Sequence, residues 1–359
     1  MRLKKNGLNA ESLVPIYPSK TFPNHFSIIT GLRADKHGII SNSFIIKNKP
    51  EVIFKINNKN IVNRGYWYLG EPLWNTVMKN GLKTASYYWV GSESIIKGMR
   101  PNYYKSYNNR TPGEQRVDQI IQWLTLPEED RPSFITLYFS KVDSRGHKFG
   151  PVSKKVKDAV FDIDDHIDRL IRKLNKNNIN ANILIVSDHG MREIDNDGFV
   201  SLPKSIRENQ NIKIVGGGSL SLLYINDIKT LKKANTTLKK NQNWDTFLYS
   251  EIPKRYYLKN KDRVPDILLV SKPGKYILKK GQKHRGKGTH GYDPKDKLMH
   301  GILLGIGPNI RNVSIKSIEN IHLFPFMAKL LNLPNVPKVD GKLSYLNEAY
   351  KESLNKIGR

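Results

Sequence analysis

The chain has 359 residues, no cysteine, and 60 Lys and Arg against 32 Asp and Glu, which gives a formal net charge of +28. The absence of cysteine excludes disulfides and thiolate metal sites, so a transition-metal site would have to use His, Asp or Glu. No apolar run reaches about 18 residues, so we expect no transmembrane helix. The basic start is followed by no apolar segment, so we expect no signal peptide within these residues.

The positive charge is spread along the whole chain. A basic field of this size attracts nucleic acid, anionic membranes or phosphorylated small molecules. Lys and Asn recur in nearly every segment, for example over 172–178 and 229–243, and no single basic stripe with interleaved aromatic residues stands out. General Lys and Asn richness explains this pattern better than a dedicated nucleic-acid surface, so we expect no specific nucleic-acid binding.

Apolar periodicity predicts alternating strands and helices in chain order. A helix is expected to start near Thr21, and another from Ser153, where apolar residues recur every three or four positions to Leu174. Short apolar runs predict strands, a helix is expected over 321–331, and the segments 229–244 and 281–291 are expected to be loops or surface insertions. The predicted strands are 134–139, 183–187, 220–225, 267–270 and 302–306. This order predicts an α/β sandwich with a largely parallel central sheet.

Thr21 is a candidate nucleophile. It precedes Phe22, Pro23 and an apolar run, where a helix would start. A helix N-terminus presents unpaired N–H groups and a partial positive charge, which would stabilise a phosphoryl group on the threonine oxygen. Taken alone, the position also suits an ordinary helix-capping threonine.

Acidic and histidine side chains follow the ends of two predicted strands. Asp143 and His147 come after the strand 134–139, and Asp188 and His189 directly follow the strand 183–187. His290 lies between glycine-containing segments further along the chain. Open α/β sheets place their sites just beyond the carboxyl ends of strands, and mixed carboxylate and imidazole ligands suit zinc.

The ordered motifs resemble those of the nucleotide pyrophosphatase/phosphodiesterases, a branch of the alkaline-phosphatase superfamily. The resemblance runs from about residue 7 to about residue 346 and predicts one catalytic domain over 1–359. That domain would be an alkaline-phosphatase-like three-layer sandwich with helices on both faces of the sheet. The matching segments are 17–24, 30–33, 37–42, 70–74, 89–93, 143–151, 187–191 and 288–292.

The resemblance implies a role for each matching residue. Thr21 would form a phospho-threonine intermediate, and Asn42 with a backbone N–H would hold a phosphoryl oxygen. Phe22 and Tyr107 would sandwich a nucleobase, with Trp89 close to that pocket or packed in the core. Two Zn²⁺ ions would act together, with Asp143, His147 and His290 as ligands of the first and Asp188 and His189 as ligands of the second.

One family feature has no counterpart here. The family places a strand ending in Asp-Gly before the nucleophile, and that aspartate is a further ligand of the second zinc. Only 20 residues precede Thr21, and they contain no Asp. We therefore expect a chain truncated relative to the family, an incomplete second zinc site, poor catalysis and exposed strand edges.

Three functions compete on these grounds. The first is zinc-dependent hydrolysis of phosphodiester or pyrophosphate bonds, with nucleotide-type substrates favoured. The second is a weakly active or inactive remnant that binds nucleotides or metal without turnover, and the third is a basic nucleic-acid-binding protein. The sequence does not decide between nucleotides, lysophospholipids and choline phosphodiesters as the source of the leaving group. It does not decide the cellular compartment of the protein either. The partner is expected to be a small-molecule phosphodiester or nucleotide, and the protein is expected to be a monomer.

Overall fold

The computed structural model describes residues 6–279, 281 and 286–352. The α-helices are α1 (Thr21–Thr30), α2 (Ala34–His37), α3 (Lys59–Val62), α4 (Leu73–Lys79), α5 (Gly113–Leu124), α6 (Lys141–Phe149), α7 (Lys154–Lys176), α8 (Lys204–Arg207), α9 (Ile228–Leu238) and α10 (Leu323–Leu330). Short 3₁₀ turns lie at Gly65–Trp67, Tyr249–Glu251, Lys254–Tyr256, Lys297–Met299, Asn320–His322, Leu343–Tyr345 and Asn347–Ala349.

The strands are short. They are β1 (Leu8–Ala10), β2 (Leu13–Val14), β3 (Ser43–Ile46), β4 (Lys49–Lys55), β5 (Thr84–Tyr87), β6 (Tyr103–Lys105), β7 (Phe134–Leu137), β8 (Ile183–Val186), β9 (Arg192–Glu193), β10 (Phe199–Ser201), β11 (Ile212–Gly217), β12 (Leu220–Ile225), β13 (Trp244–Leu248), β14 (Ile267–Ser271), β15 (Tyr276–Leu278), β16 (Gly288–Thr289), β17 (Leu303–Ile306), β18 (Val313–Ile315) and β19 (Ile318–Glu319).

Two sheets bring their strand ends to the candidate site. One has the order β18-β1-β17-β8, with β17 antiparallel to both β1 and β8, and the other is the parallel sheet β6-β5-β7. The strands β7 and β8 stand at the margins of these sheets and lead directly to Asp143 and Asp188. The α/β sandwich class predicted from the sequence is confirmed.

A large groove lies between β7 and β8. Its volume is about 1570 Å³, and its walls include the continuous runs 131–139 and 177–191. Apolar side chains of α1, α5, α7 and α10 line it as well, and no residue of β8 is fully buried. Within the described residues, β7 pairs only with β5 among the strands and β8 only with β17. The open edges of β7 and β8 agree with the expected exposed strand edges. The truncation of the chain relative to the family stays a prediction.

The helix α7 matches its prediction closely. Ser153 caps it by accepting a hydrogen bond from the Val156 amide at 3.4 Å, which satisfies one of the free N–H groups of the first turn. The predicted apolar stripe faces the groove, where Val160 is 48% exposed. Much of this stripe therefore remains less buried than a core helix face would be.

Another four-stranded sheet is entirely antiparallel, with the order β11-β12-β14-β13. Its central strands β12 and β14 are fully buried. The prediction of a loop over 229–244 is wrong, because α9 occupies most of it. Asp227 caps α9 through the Thr230 amide at 2.7 Å, and Ala234 and Leu238 anchor the helix to the core. The prediction for 281–291 lies partly outside the described residues; within them, β16 and His290 are buried.

The largest core cluster surrounds the buried side chains of Phe26, Phe44, Phe54 and Trp67. It holds α1 and the loop before β3, so it fixes Thr21 relative to Asn42. In the part of the chain that the structure describes, no helix combines the length and apolarity needed to cross a membrane.

Candidate functional site

Thr21 is the first residue of α1, and Lys20 occupies the N-cap position without a side-chain capping hydrogen bond. The Thr21 hydroxyl lies 3.3 Å from His189 Nε2. The Phe22 amide donates a 3.0 Å hydrogen bond to Asn42 Oδ1. This bond directs the Asn42 carbonyl to the helix, so its NH₂ group is the part that remains to face a substrate oxygen. The same bond occupies the backbone N–H next to the nucleophile.

The five predicted metal ligands all reach one cluster. Donor atoms of Asp143, His189 and His290 lie within 4.8 Å of one another, a spacing that could hold a metal ion. The rings of His189 and His290 stack at 3.5 Å, and the His147 ring is 5.0 Å from that of His290. The structure thus groups His189 with first-site residues, and the division into two zinc sites stays a prediction.

Asp143 has a geometry that fits a metal. Its Oδ1 is buried without a hydrogen-bond partner among the described residues. The Nε2 atoms of His147 and His290 lie 3.5 Å and 3.7 Å from this oxygen. Ligands held about 2.0–2.2 Å from a tetrahedral zinc are roughly 3.3–3.6 Å apart, so the spacing is close to that of a shared ion.

Backbone carbonyls orient the three metal-facing imidazoles. The Nδ1 atoms of His147, His189 and His290 lie 2.9, 2.8 and 2.8 Å from the carbonyl oxygens of Gly288, Gly190 and Ser19. A proton on each Nδ1 leaves Nε2 as the free lone pair. This outer support fixes the tautomer that a metal ligand needs.

Asp188 forms a charged cluster with two histidines. Its Oδ2 lies 3.1 Å from His189 Nε2 and 3.2 Å from His25 Nδ1. Burial alone would raise the pKa of Asp188, but the two imidazoles hold it well below its usual value. Burial is the largest single influence on His189 and would lower its pKa, but the charge and hydrogen bond of Asp188, together with the charge of Asp143, raise that pKa overall.

For His290 and Lys20, burial is the dominant influence, and both pKa values are lowered. Burial, reinforced by His189 and His147, holds the pKa of His290 well below its usual value. Burial also lowers the pKa of Lys20 to about 8, with help from the charge of Lys279. His290 is therefore neutral and able to bind a metal at neutral pH.

The predicted aromatic residues fall into two groups. Phe22 packs edge-on against Phe54, and the Tyr107 hydroxyl contacts Ser140 Oγ at 3.3 Å, with no ring contact between Phe22 and Tyr107 among the described residues. Trp89 donates from Nε1 to the His25 carbonyl at 3.2 Å and packs against two core clusters. These contacts agree with the core-packing alternative for Trp89.

Two site residues had no role in the sequence analysis. His25 is 4% exposed, and its four-residue spacing from Thr21 on a predicted helix was a usable signal. Lys20 borders the nucleophile, but in a lysine-rich chain nothing distinguished it from other lysines.

Known proteins with similar sequences belong to the family that the motifs indicate. The family described as Type I phosphodiesterase / nucleotide pyrophosphatase matches residues 1–293. Human ectonucleotide pyrophosphatase/phosphodiesterase family member 1 is 33% identical over 360 residues, covering 96% of this chain and 39% of that protein. A venom phosphodiesterase of Naja atra is 35% identical over 358 residues, covering 96% and 43%. The chain thus spans about two fifths of the length of these relatives.

Solved structures show the same fold. Human ectonucleotide pyrophosphatase/phosphodiesterase 5 superposes with a TM-score of 0.92 at 26% identity, covering 98% of this chain and 93% of the other. An inactive variant of the murine protein, solved in complex with AMP, gives a TM-score of 0.90 at 27% identity with the same coverage. The chain belongs to the type I phosphodiesterase/nucleotide pyrophosphatase family.

Proposed function

We propose that this chain is a zinc-dependent hydrolase of phosphodiester or pyrophosphate bonds in nucleotide-type substrates, acting through Thr21. The observation that carries the proposal is the buried Asp143 oxygen, which has no hydrogen-bond partner among the described residues and faces two oriented imidazoles. The Thr21 hydroxyl lies 3.3 Å from His189 in the same cluster. A site of this kind combines a nucleophile with ligands that would neutralise charge on a phosphoryl group.

Thr21 is the nucleophile in this proposal. Its oxygen attacks phosphorus, the bond to the leaving oxygen breaks, and a water then releases the phosphoryl group from the threonine. The partial positive charge at the start of α1 favours the developing negative charge. The NH₂ group of Asn42 donates to a non-bridging oxygen, since the Asn42 carbonyl is already held by the Phe22 amide.

Zinc would be held by Asp143, His147 and His290 in one site and by Asp188 and His189 in the other. When bound, zinc supplies Lewis-acid stabilisation of the attacking and leaving oxygens. The carboxylate and imidazole donors of this cluster suit that ion. His25 and His189 both contact the Oδ2 atom of Asp188, so His25 helps to hold this carboxylate in place.

A nucleoside would lie between Phe22 and Tyr107. Base stacking on aromatic rings contributes about 1–3 kcal/mol per base in nucleic-acid complexes. The AMP complex of the murine structural relative supports a nucleotide ligand for this fold. Trp89 would act indirectly, through its hydrogen bond to the His25 carbonyl.

The groove between β7 and β8 favours a second candidate, nucleotide or metal binding without turnover. It opens beside Thr21, Asp143 and Asp188, all of which line it. Water that reaches the site from this side would weaken the electrostatic stabilisation that catalysis needs.

Hydrolysis of the p-nitrophenyl ester of thymidine 5′-monophosphate separates the two candidates. We expect turnover with zinc, loss of turnover with a chelator, and a decrease of at least about a hundredfold in Thr21→Ala. A matched control is Thr125→Ala, which alters a threonine at the end of α5. Zinc binding without turnover at any zinc concentration would support the second candidate, and undiminished turnover by Thr21→Ala would exclude the assigned nucleophile.

A further inference from the structure

The carbonyl oxygen of His290 is held by a hydroxyl from a distant part of the chain. Ser219 Oγ donates to it at 2.8 Å, and both side chains are buried. Ser219 lies in the two-residue turn between β11 and β12, because Gly217 pairs with Leu220 across that hairpin. One hydrogen bond therefore joins the antiparallel sheet directly to a candidate metal ligand.

The segment 290–292 is also held from the nucleophile side. Ser19 Oγ donates to the Tyr292 carbonyl at 2.9 Å, and the Ser19 carbonyl oxygen lies 2.8 Å from His290 Nδ1. The backbone of this segment and the ring of His290 are therefore held at separate points. Because of this, His290 Nε2 keeps a defined direction toward Asp143 Oδ1, which lies 3.7 Å away.

Gly291 makes the close approach of Ser219 possible. Its φ of +103 lies in the region that favours glycine, and a Cβ there would collide with Ser219 Oγ. A side chain at this position would therefore displace the hydroxyl from the His290 carbonyl. The glycine that follows the candidate ligand is thus explained by the hydrogen bond from Ser219.

The turn that carries Ser219 is itself well supported. Gly218 exchanges two backbone hydrogen bonds with Ile277, at 2.8 and 2.9 Å, and the Ser219 carbonyl accepts from the Ser271 amide at 2.9 Å. Ser271 Oγ donates a further 2.8 Å hydrogen bond to the Gly218 carbonyl. The Ser219 hydroxyl is therefore presented from a fixed position, as a side chain that orients a metal ligand must be.

We propose that Ser219 is a positioning residue for zinc binding, because its hydroxyl, with Gly291 beside it, sets the place of His290 in the metal site. This inference rests on the proposed function, since it takes His290 as a zinc ligand. The Gly288 carbonyl oxygen, in the same stretch of backbone, lies 2.9 Å from His147 Nδ1, so a shift of this stretch would disturb two imidazoles together. Removing a partner that orients a metal ligand typically lowers metal affinity about 10–100-fold.

Ser219→Ala and Ser271→Ala form a matched pair. Each removes one buried serine hydroxyl that donates to a backbone carbonyl at 2.8 Å, but the acceptor of Ser219 belongs to His290 and that of Ser271 to Gly218. Competition with a chromogenic chelator should show zinc affinity lowered about tenfold or more in Ser219→Ala and kept within about twofold in Ser271→Ala. Urea unfolding of the metal-free variants should show similar shifts of the midpoint. Equal zinc affinities in the two variants, or a larger midpoint shift in Ser219→Ala with unchanged zinc affinity, would overturn the proposal.

A spectroscopic measurement keeps the test independent of zinc. In metal-free protein with ¹⁵N-labelled histidine, solvent exchange of the His290 Nδ1 proton reports how firmly this ring is held. Exchange should be about tenfold faster in Ser219→Ala and unchanged in Ser271→Ala. An unchanged exchange rate in Ser219→Ala would overturn the positioning role. Faster exchange in Ser219→Ala, together with no zinc binding by the unmodified chain, would uphold the positioning role and reject the zinc site of the proposed function.

Discussion

At the scale of single residues, the site depends on how buried charges are balanced. His189 and His290 stack at 3.5 Å, yet their pKa values shift in opposite directions. Asp188 lies against His189 and favours its protonated form, whereas His290 is buried beside two other imidazoles. The His189 ring therefore takes up a second proton at higher pH than an ordinary histidine, and the His290 ring only at much lower pH.

The metal-free protein should show this difference in an NMR titration of its imidazoles. His189 should lose its proton above the ordinary histidine pKa of about 6.5, and His290 should stay neutral well below it. In Asp188→Asn, burial becomes the dominant influence on His189, so its pKa should fall below the ordinary value. Both rings titrating together near 6.5 would contradict the account.

Asp143→Asn should lower zinc affinity by at least about 10–100-fold, because it replaces the charged donor that faces two imidazoles. Equilibrium competition with a chromogenic chelator measures the change. Asp162→Asn, which alters an aspartate of α7 paired with Lys141, is the matched control and should keep the affinity of the unmodified chain. Equal zinc affinity in Asp143→Asn would remove this residue from the metal site.

The sequence predicted these candidate ligands because strand ends and residue type are local properties. Asp143 and His147 share α6, and Asp188 and His189 directly follow β8, so their proximity follows from the strand arrangement. His25 pairing with Asp188 could not be predicted, because it depends on how α1 packs against the end of β8. The place of Lys20 in the site could not be predicted either, because it depends on the burial of this side chain.

At the scale of elements, buried apolar runs predicted the strands well. The secondary structure of polar segments was predicted less well. The run 220–225 became β12 with the same limits, since a short run of large apolar residues suits a strand buried on both faces. The segment 229–244 looked like a loop because Lys and Asn dominate it. Its apolar residues Leu231, Ala234 and Leu238 nevertheless follow helical spacing, and burial of the last two stabilises α9.

Because of the groove, we expect apolar side chains in different parts of the fold to contribute unequally to the free energy of unfolding. Leu268 in β14 is fully buried, whereas Leu170 in α7 lines the groove and is only partly buried. Leu268→Ala should therefore lower the free energy of unfolding by about 2–5 kcal/mol, and Leu170→Ala by less than about 2 kcal/mol. Urea unfolding of the two matched substitutions measures both values. An equal loss at the two positions would indicate that the groove is closed in solution.

At the scale of the whole molecule, the charge of +28 should give general rather than specific attraction to nucleic acid. We expect weak duplex DNA binding that does not depend on sequence and that weakens steeply between about 50 and 200 mM salt. Fluorescence anisotropy with two unrelated duplexes measures it. Tight binding to one duplex that persists at the higher salt would instead favour a nucleic-acid-binding protein. Monomeric state and a single domain over 1–359 stay predictions.

The fold class was predictable at this scale because the motifs follow one another along nearly the whole chain in a fixed order. The antiparallel sheet β11-β12-β14-β13 was not, since strand direction is set by packing between segments far apart in sequence.

Peptide mass spectrometry after acid quenching tests the central claim most directly. Zinc-loaded protein is mixed with a nucleotide phosphodiester and stopped during turnover. The account predicts a nucleotidyl or phosphoryl adduct on the peptide containing Thr21, and neither adduct nor turnover in Thr21→Ala. Turnover by the unmodified chain with no adduct, together with equal turnover by Thr21→Ala, would contradict it.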